Sequence, residues 1–134
     1  MIIYALDSNI ISYMLKNDAV VVSRYRQESD RGNSFVILPI VYYEIQRWLL
    51  SRRLNKKMGL FDDLCHEIEQ VEFNKPIWQK AAQICAGLYQ RGVPIDDADI
   101  FIAAFCLVNG YTLVTNNTRH FERIDGLEIV NWKP

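Results

Sequence analysis

Short apolar runs alternate with stretches of helical periodicity along this chain, and this alternation constrains the fold more than any other feature. Strands separated by helices predict a parallel sheet with helices on both faces. We predict strands at 2–6, 34–38, 111–115 and 127–130. We predict helices at 10–15, 20–28, 40–54, 60–71, 76–92 and 96–110. The predicted fold class is therefore α/β, with a central, mostly parallel sheet in a single domain over residues 1–134, and Ser8 or Asn9 as the cap of the first helix.

Composition narrows the functional class only slightly. The 134 residues are half apolar, which is enough for one core, and the net charge of −1 neither indicates nor excludes a nucleic-acid partner. No apolar run approaches the roughly 18 residues that span a bilayer, and Asp7 and Asn9 interrupt the opening run, so we expect neither a membrane span nor a secretion signal. The 3 cysteines are scattered and lack metal-ligand spacing with histidine. We therefore expect a cytoplasmic protein without a structural zinc.

An acid ends the first predicted strand, because the run IIYAL leads directly into Asp7. In open α/β sheets, ligands bind outside the carboxyl ends of the strands, so the position favours a functional carboxylate. Aspartate is also a preferred turn residue, and a plain turn remains the leading explanation of Asp7 taken alone.

A second acid, Glu44, lies on the apolar side of a predicted helix. It follows Val41 by three residues and precedes Trp48 by four. An ionised carboxylate on such a face costs several kcal/mol unless a cation or hydrogen-bond donors meet it. The alternative is a glutamate at the margin of the apolar face that reaches solvent or pairs with an arginine.

A third acid, Asp99, repeats this pattern near the start of the helix predicted at 96–110. It precedes Ile102 by three residues and so faces the core side. The alternative is that it complements the positive end of the helix dipole. That explanation suits Asp96 and Asp97, which we assign mainly to capping, better than it suits Asp99.

Three inward carboxylates from separate elements favour a shared divalent cation. Mg²⁺ takes oxygen ligands and retains several waters, so it would relieve the repulsion among Asp7, Glu44 and Asp99. Such a site suits phosphate chemistry, because the cation lowers the pKa of a bound water and neutralises charge in the transition state.

With these residues identified, the chain resembles the PIN-domain ribonucleases, and most closely the VapC toxins of bacterial toxin–antitoxin pairs. LDSN at 6–9 resembles the family's first-strand motif, Glu44 falls at its glutamate, and DIFIAA at 99–104 resembles the segment of its third acid. LVTNNTRHFERIDGLEIVNW at 113–132 resembles its closing segment. The resemblance extends from Ile3 to Trp132.

The resemblance implies a catalytic site and a cofactor. It implies that Asp7 and Asp99 bind Mg²⁺ directly, with Mn²⁺ as a substitute. Glu44 would act either as a further metal ligand, through a bridging water, or as the base for the attacking water. Ser8 would hydrogen-bond within the cluster, or simply cap the helix. Many relatives have a fourth acid where this chain has Asn117, and an amide adds no charge, so we expect weaker cation binding.

The resemblance also implies a reaction and partners. We expect a Mg²⁺-dependent endoribonuclease that cleaves structured RNA, with tRNA a common target in the family, and leaves a 5′-phosphate and a 3′-hydroxyl. We expect inhibition by a cognate antitoxin, a homodimer, and higher assemblies with the antitoxin.

Positive residues follow Glu44 and are candidates for binding the RNA backbone. No acid occurs between Ile45 and Phe61, a stretch that contains five positive side chains: Arg47, Arg52, Arg53, Lys56 and Lys57. Arg119 and His120 are further candidates for a phosphate contact, or they simply form the entry to a helix. The alternative is a solvated helix face, which is the more common explanation of such a run.

Other functional classes fit less well. Phosphoaspartyl phosphatases use an Asp-x-Asp motif after the first strand, and DSN lacks the second acid. A receiver-like signalling domain needs a lysine after a late strand, where this chain has NNTRHF. A catalytically weak PIN scaffold that binds RNA or protein partners stays open, because the fourth acid is missing.

Overall fold

The structure is a computed structural model that describes residues 1–134. Five strands form its sheet: β1 (Ile3–Leu6), β2 (Ser34–Ile37), β3 (Glu69–Gln70), β4 (Thr112–Val114) and β5 (Ile129–Val130). Seven helices complete the fold: α1 (Ser8–Leu15), α2 (Ala19–Asp30), α3 (Pro39–Ser51), α4 (Asn55–Glu67), α5 (Lys75–Gln90), α6 (Asp97–Asn109) and α7 (Thr118–Phe121).

The sheet is entirely parallel, with the strand order β3-β2-β1-β4-β5. Tyr4 in β1 aligns with Phe35 in β2 and with Thr112 in β4. The central strands are short apolar runs because helices cover a parallel sheet on both faces, and Ala5 and Leu6 are fully buried. The predicted α/β class with a central parallel sheet is confirmed.

The order of the strands creates one topological switch point at the carboxyl edge of the sheet. The chain steps outward from β1 to β2 and β3, then returns to β4 on the other side of β1. Because parallel crossovers are right-handed, α1 to α4 cover one face and α5 and α6 cover the other. This reversal of direction separates the loops that follow β1 and β4, and such a point is where open α/β sheets bind ligands.

Several predicted boundaries were wrong. The first helix begins at Ser8 and not at Ile10, and its N-cap is Asp7 rather than Ser8 or Asn9, since the Asp7 carboxylate accepts a hydrogen bond from the Ser8 amide. Asp96 occupies the N-cap position of α6 as predicted, but its side chain makes no capping hydrogen bond.

The fourth helix also differs from the prediction, and one strand was missed. We predicted a helix over 60–71, whereas α4 begins at Asn55 and ends at Glu67. Its first turn is polar, so apolar spacing gave no sign of it. Strand β3 has only two residues, Glu69 and Gln70, and both are exposed. A strand this short has no measurable periodicity.

None of the seven helices combines the length and the apolar character that crossing a membrane requires.

A buried carboxylate, Glu28, stabilises the amino edge of the sheet and has an exposed fraction of only 2%. Its oxygens accept hydrogen bonds from the Tyr4 hydroxyl at 2.8 Å, the Asn33 amide at 2.8 Å and the Arg31 guanidinium at 2.7 Å. Burial alone would raise the pKa of Glu28, but the hydrogen bonds from Tyr4 and Asn33 and the charges of Arg31 and Arg24 outweigh burial and lower it. The network joins the end of α2 to β1.

We predict that Glu28→Ala lowers the free energy of unfolding by about 2 kcal/mol, because it removes an ionised acceptor from several donors. The pKa of Glu28 is lowered on folding, so its stabilisation is complete above the unfolded pKa and is lost as pH falls through the folded pKa. The difference between the wild type and the variant should therefore shrink on acidification. Urea unfolding at several pH values measures this difference.

The matched control is Glu122→Ala, which removes an exposed glutamate and should change stability by less than about 0.5 kcal/mol. Equal effects of the two substitutions would contradict a structural role for Glu28.

Candidate active site

The three predicted acids lie at the carboxyl edge of the sheet, each placed there by a different element. Asp7 directly follows β1, and Glu44 lies in the second turn of α3, which begins after β2. Helix α6 precedes β4 and runs back toward the amino edge, so its first turn, with Asp99, starts at the carboxyl edge. Elements distant in sequence therefore converge because the strands are parallel.

Asp7 is the most constrained of the three and has an exposed fraction of 4%. Its Oδ1 accepts a hydrogen bond from the Ser8 amide at 2.8 Å. Its Oδ2 accepts one hydrogen bond from the Thr115 hydroxyl at 2.7 Å and one from the Asn9 side-chain amide at 3.3 Å. Burial raises the pKa of Asp7, and the charge of Asp99 adds to the increase, whereas these hydrogen bonds oppose it. The net effect is a raised pKa, so keeping this carboxylate ionised costs free energy.

Glu44 is half-buried and interacts electrostatically with both aspartates. Burial raises its pKa, and the charges of Asp7 and Asp99 raise it further. The Ser8 side chain and the charge of Arg47 act in the opposite direction. The apolar stripe on α3 thus places a carboxylate beside two others, and no arginine forms an ion pair with it within 4.0 Å.

Asp99 contacts a histidine rather than an arginine. The His120 Nδ1 atom lies 2.9 Å from Asp99 Oδ2 and also 2.9 Å from Asn117 Nδ2. The Asn117 backbone amide donates to the Thr115 hydroxyl oxygen at 3.0 Å. Asn117, which we matched to the fourth acid of the family, therefore lies at the site but contacts the acids through other side chains.

Three of the helices that begin at this edge carry or adjoin one of the acids near their amino ends. Helices α1, α3 and α6 each start within a few residues of one acid of the cluster. The amino end of a helix has a partial positive charge and free N–H groups, which stabilise anions nearby. The edge is therefore suited both to carboxylates and to a phosphate group.

The donor set fits a hard divalent cation in chemical kind but is not a preformed metal site. All three side chains offer oxygen ligands, and their mutual repulsion is relieved by a cation. No group of three or more histidine, cysteine, aspartate or glutamate side chains lies close enough together to hold a metal ion. Binding of one cation by all three acids would therefore require their side chains to move closer to one another.

The predicted RNA-binding residues are not all near the acids. The Ser8 amide donates to Asp7, and Arg47 is near enough to lower the pKa of Glu44 while its guanidinium lies 5.1 Å from the Tyr43 ring centroid. Arg52 and Arg53 are exposed at the end of α3 and just beyond it. At 1.5 Å per residue, Arg52 lies about 12 Å further along the helix than Glu44.

Arg119 is exposed on α7, next to His120. Its role in binding a phosphate stays a prediction, as do the roles of the arginines on α3.

Two residues of the site were missed from the sequence. Thr115 is fully buried and bonds to Asp7, and His120 contacts Asp99. We considered His120 only as a phosphate contact or as part of a helix entry. The position of Thr115, directly after the strand that neighbours β1, could have identified it once the strand order was known. His120 could have been identified from its spacing, because it follows Asn117 by three residues and so lies on the same side of a helical turn.

The fold and this edge define an α/β domain with an acidic cluster at the switch point of its sheet. The PIN domain model matches residues 4–127. The chain belongs to the PIN-domain family.

Individual relatives agree with this assignment. The chain is 28% identical over 131 residues to "Ribonuclease VapC2" of Rickettsia felis, covering 97% of this chain and 98% of that protein. It is 29% identical over 135 residues to "tRNA(fMet)-specific endonuclease VapC" of Shigella flexneri, covering 98% and 99%. A solved structure of VapBC2 from Rickettsia felis, bound to a promoter DNA fragment, contains a chain with a TM-score of 0.91 and 26% identity, covering 98% and 100%.

We predict that Asp7→Asn stabilises the protein without divalent cations by about 1 kcal/mol at pH 7, or about 4 °C in Tm, because it removes a poorly solvated charge. The folded pKa of Asp7 is raised, so its destabilising effect is present above that pKa and disappears as pH falls through it. The gain in Tm should therefore shrink at low pH, and thermal unfolding in chelator measures it.

Asp63→Asn is the control, because Asp63 is exposed on α4. A loss of stability in Asp7→Asn alone would show that hydrogen bonding outweighs the cost of the buried charge.

Proposed function

We propose that this protein is a Mg²⁺-dependent endoribonuclease of the VapC toxin type, which hydrolyses structured RNA and leaves a 5′-phosphate and a 3′-hydroxyl. The observation that carries the proposal is the mutual electrostatic interaction of Asp7, Glu44 and Asp99 at one edge of the sheet. Two of these acids have raised pKa values, which is typical of functional sites. The names of the ribonuclease relatives support the same activity.

In this proposal Asp7 and Asp99 hold the cation, and Glu44 shares it once the side chains move closer together. Bound Mg²⁺ supplies positive charge to the scissile phosphate and makes water at the site more acidic. The cation would also remove the repulsion that the three acids exert on one another.

The chain's own residues account for the remaining steps. Glu44 accepts the proton of the attacking water, for which its raised pKa is suitable. The water oxygen forms a bond to phosphorus, the bond from phosphorus to the 3′ oxygen breaks, and that oxygen takes a proton from a solvent water to become the hydroxyl. Arg47 and the amino ends of the helices stabilise the phosphate charge.

The substrate part of the proposal is structured RNA, with tRNA as the first candidate. The Shigella flexneri relative is named as tRNA(fMet)-specific, which supports testing that class first. Exposed Arg52 and Arg53, away from the acids, would contact the backbone of an RNA that extends along α3.

The partner part of the proposal is a cognate antitoxin that blocks the acidic edge. The solved VapBC2 structure supports it, since the chain similar to this one is part of that assembly. A homodimer, and higher assemblies with the antitoxin, are part of the same proposal.

A second candidate function is a PIN scaffold that binds RNA or protein without cleaving RNA. It is favoured by the lack of three ligands at metal-binding spacing and by Asn117 in place of an acid. A protein that binds tRNA but never cuts it in Mg²⁺ or Mn²⁺ would match this candidate.

We predict that Asp7→Asn and Asp99→Asn each lower the rate of RNA cleavage by at least about 100-fold, because each removes a charged ligand of the cation. Glu44→Gln should impair turnover similarly. The assay incubates purified protein with tRNA in Mg²⁺ and in chelator, and maps the ends of the products.

The control is Asp63→Asn, which should cut at the wild-type rate. If Asp7→Asn cut RNA as fast as the wild type, the nuclease proposal would be wrong.

We predict different effects for the near and distant arginines. Arg47→Gln should slow cleavage of bound RNA, because Arg47 is close to Glu44. The double change Arg52→Gln and Arg53→Gln should weaken RNA binding and leave the cleavage rate at saturation unchanged. Each lost phosphate contact should reduce the slope of log K against log salt by about 0.7 to 0.9.

Lys80→Gln, which removes a positive charge on α5, is the matched control for binding. An unchanged salt slope in the double variant would exclude Arg52 and Arg53 from the RNA interface.

A further inference from the structure

A continuous chain of side-chain and backbone contacts joins two of the three acids. His120 Nδ1 lies 2.9 Å from Asp99 Oδ2 and 2.9 Å from the Asn117 side-chain nitrogen. The Asn117 backbone amide donates to the Thr115 hydroxyl oxygen at 3.0 Å, and that hydroxyl donates to Asp7 Oδ2 at 2.7 Å. The path from Asp99 to Asp7 therefore contains no gap.

The number of protons on His120 Nδ1 determines how this contact works. A ring nitrogen holds one proton or one lone pair, so it cannot donate to the Asp99 carboxylate and also accept from the Asn117 amide. A bare lone pair facing a carboxylate oxygen would be repulsive. The contact is therefore satisfied when Nδ1–H donates to Asp99 and the Asn117 side chain turns its carbonyl oxygen toward the ring.

The backbone that carries His120 is anchored to the core. It belongs to α7, which is fixed to the core by Phe121, a fully buried side chain. The side chains are only partly buried, with exposed fractions of 39% for His120 and 16% for Asp99, and the negative charge of Glu44 repels Asp99. Without a donor on one oxygen, this carboxylate would be free to turn toward solvent.

We propose that His120 is a positioning residue, which fixes the Asp99 carboxylate relative to Asp7 so that both can bind one divalent cation. This inference rests on the cation site of the proposed function. Partners of this kind orient metal ligands and typically contribute 10- to 100-fold to metal affinity. The His120 contact uses Oδ2 of Asp99, which leaves Oδ1 for a cation.

The test measures Mn²⁺ affinity by calorimetry in the absence of RNA, so that it does not depend on catalysis. His120→Ala should weaken Mn²⁺ binding about 10-fold or more. His120→Asn should restore most of the affinity, because its side-chain nitrogen is as many bonds from Cα as Nδ1 is. His120→Gln places its nitrogen at the distance of Nε2 and should not restore it.

The control is His66→Ala, which replaces the other of the chain's 2 histidines, an exposed residue on α4. Circular dichroism establishes that each variant is folded. If His120→Ala is unfolded, the comparison between His120→Asn and His120→Gln decides, and equal affinities overturn the inference. Wild-type affinity in His120→Ala also overturns it.

Cleavage measured on the same samples separates this inference from the proposed function. A wild-type protein that binds Mn²⁺ but cuts no RNA would refute the nuclease activity, while the affinities of the variants would still support the role of His120. A wild-type protein that binds no Mn²⁺ would overturn both.

Discussion

The hydrogen bond between Thr115 and Asp7 joins the ends of β4 and β1, and the functional edge of the molecule depends on it. The Thr115 hydroxyl lies 2.7 Å from Asp7 Oδ2 and gives this buried carboxylate one of its few partners. The contact connects the two strands whose following loops diverge. The backbone repeats the connection, because the Asp7 amide donates to the Val114 carbonyl at 2.9 Å. The remaining acids are then placed by helices that start beside this contact.

The sequence predicted the architecture well because its strands are short apolar runs between clear helical patterns. Helix α6 shows this, since its predicted range of 96–110 differs by one residue at each end from the observed Asp97–Asn109. The errors occur where the local pattern is weak. The polar first turn of α4 and the exposed two-residue β3 are determined by tertiary contacts, and apolar periodicity does not detect them.

The candidate site was predictable in its charged members and not in its neutral ones. An acid on an apolar helix face conflicts with burial, and that conflict identified Glu44 and Asp99 before their positions in space were known. Thr115 and His120 produce no such conflict, since threonine is common in strands and a partly exposed histidine on a short helix fits any surface. Their roles depend on the strand order and on the path of the closing segment, which one sequence does not encode in a local pattern.

The carboxyl and amino edges of the sheet contain different kinds of residues, and sequence changes at the two edges therefore have different effects. The acids, the beginnings of three helices and the Thr115 contact all lie at the carboxyl edge, whereas the opposite edge contains the Glu28 network and the turn at Gly110, whose positive φ of 70° suits glycine. Loops at that opposite edge can lengthen or exchange residues without displacing any acid. Sequence drift there would alter the lifetime of the protein in the cell, while drift at the carboxyl edge would alter its chemistry, so evolution can adjust the two separately.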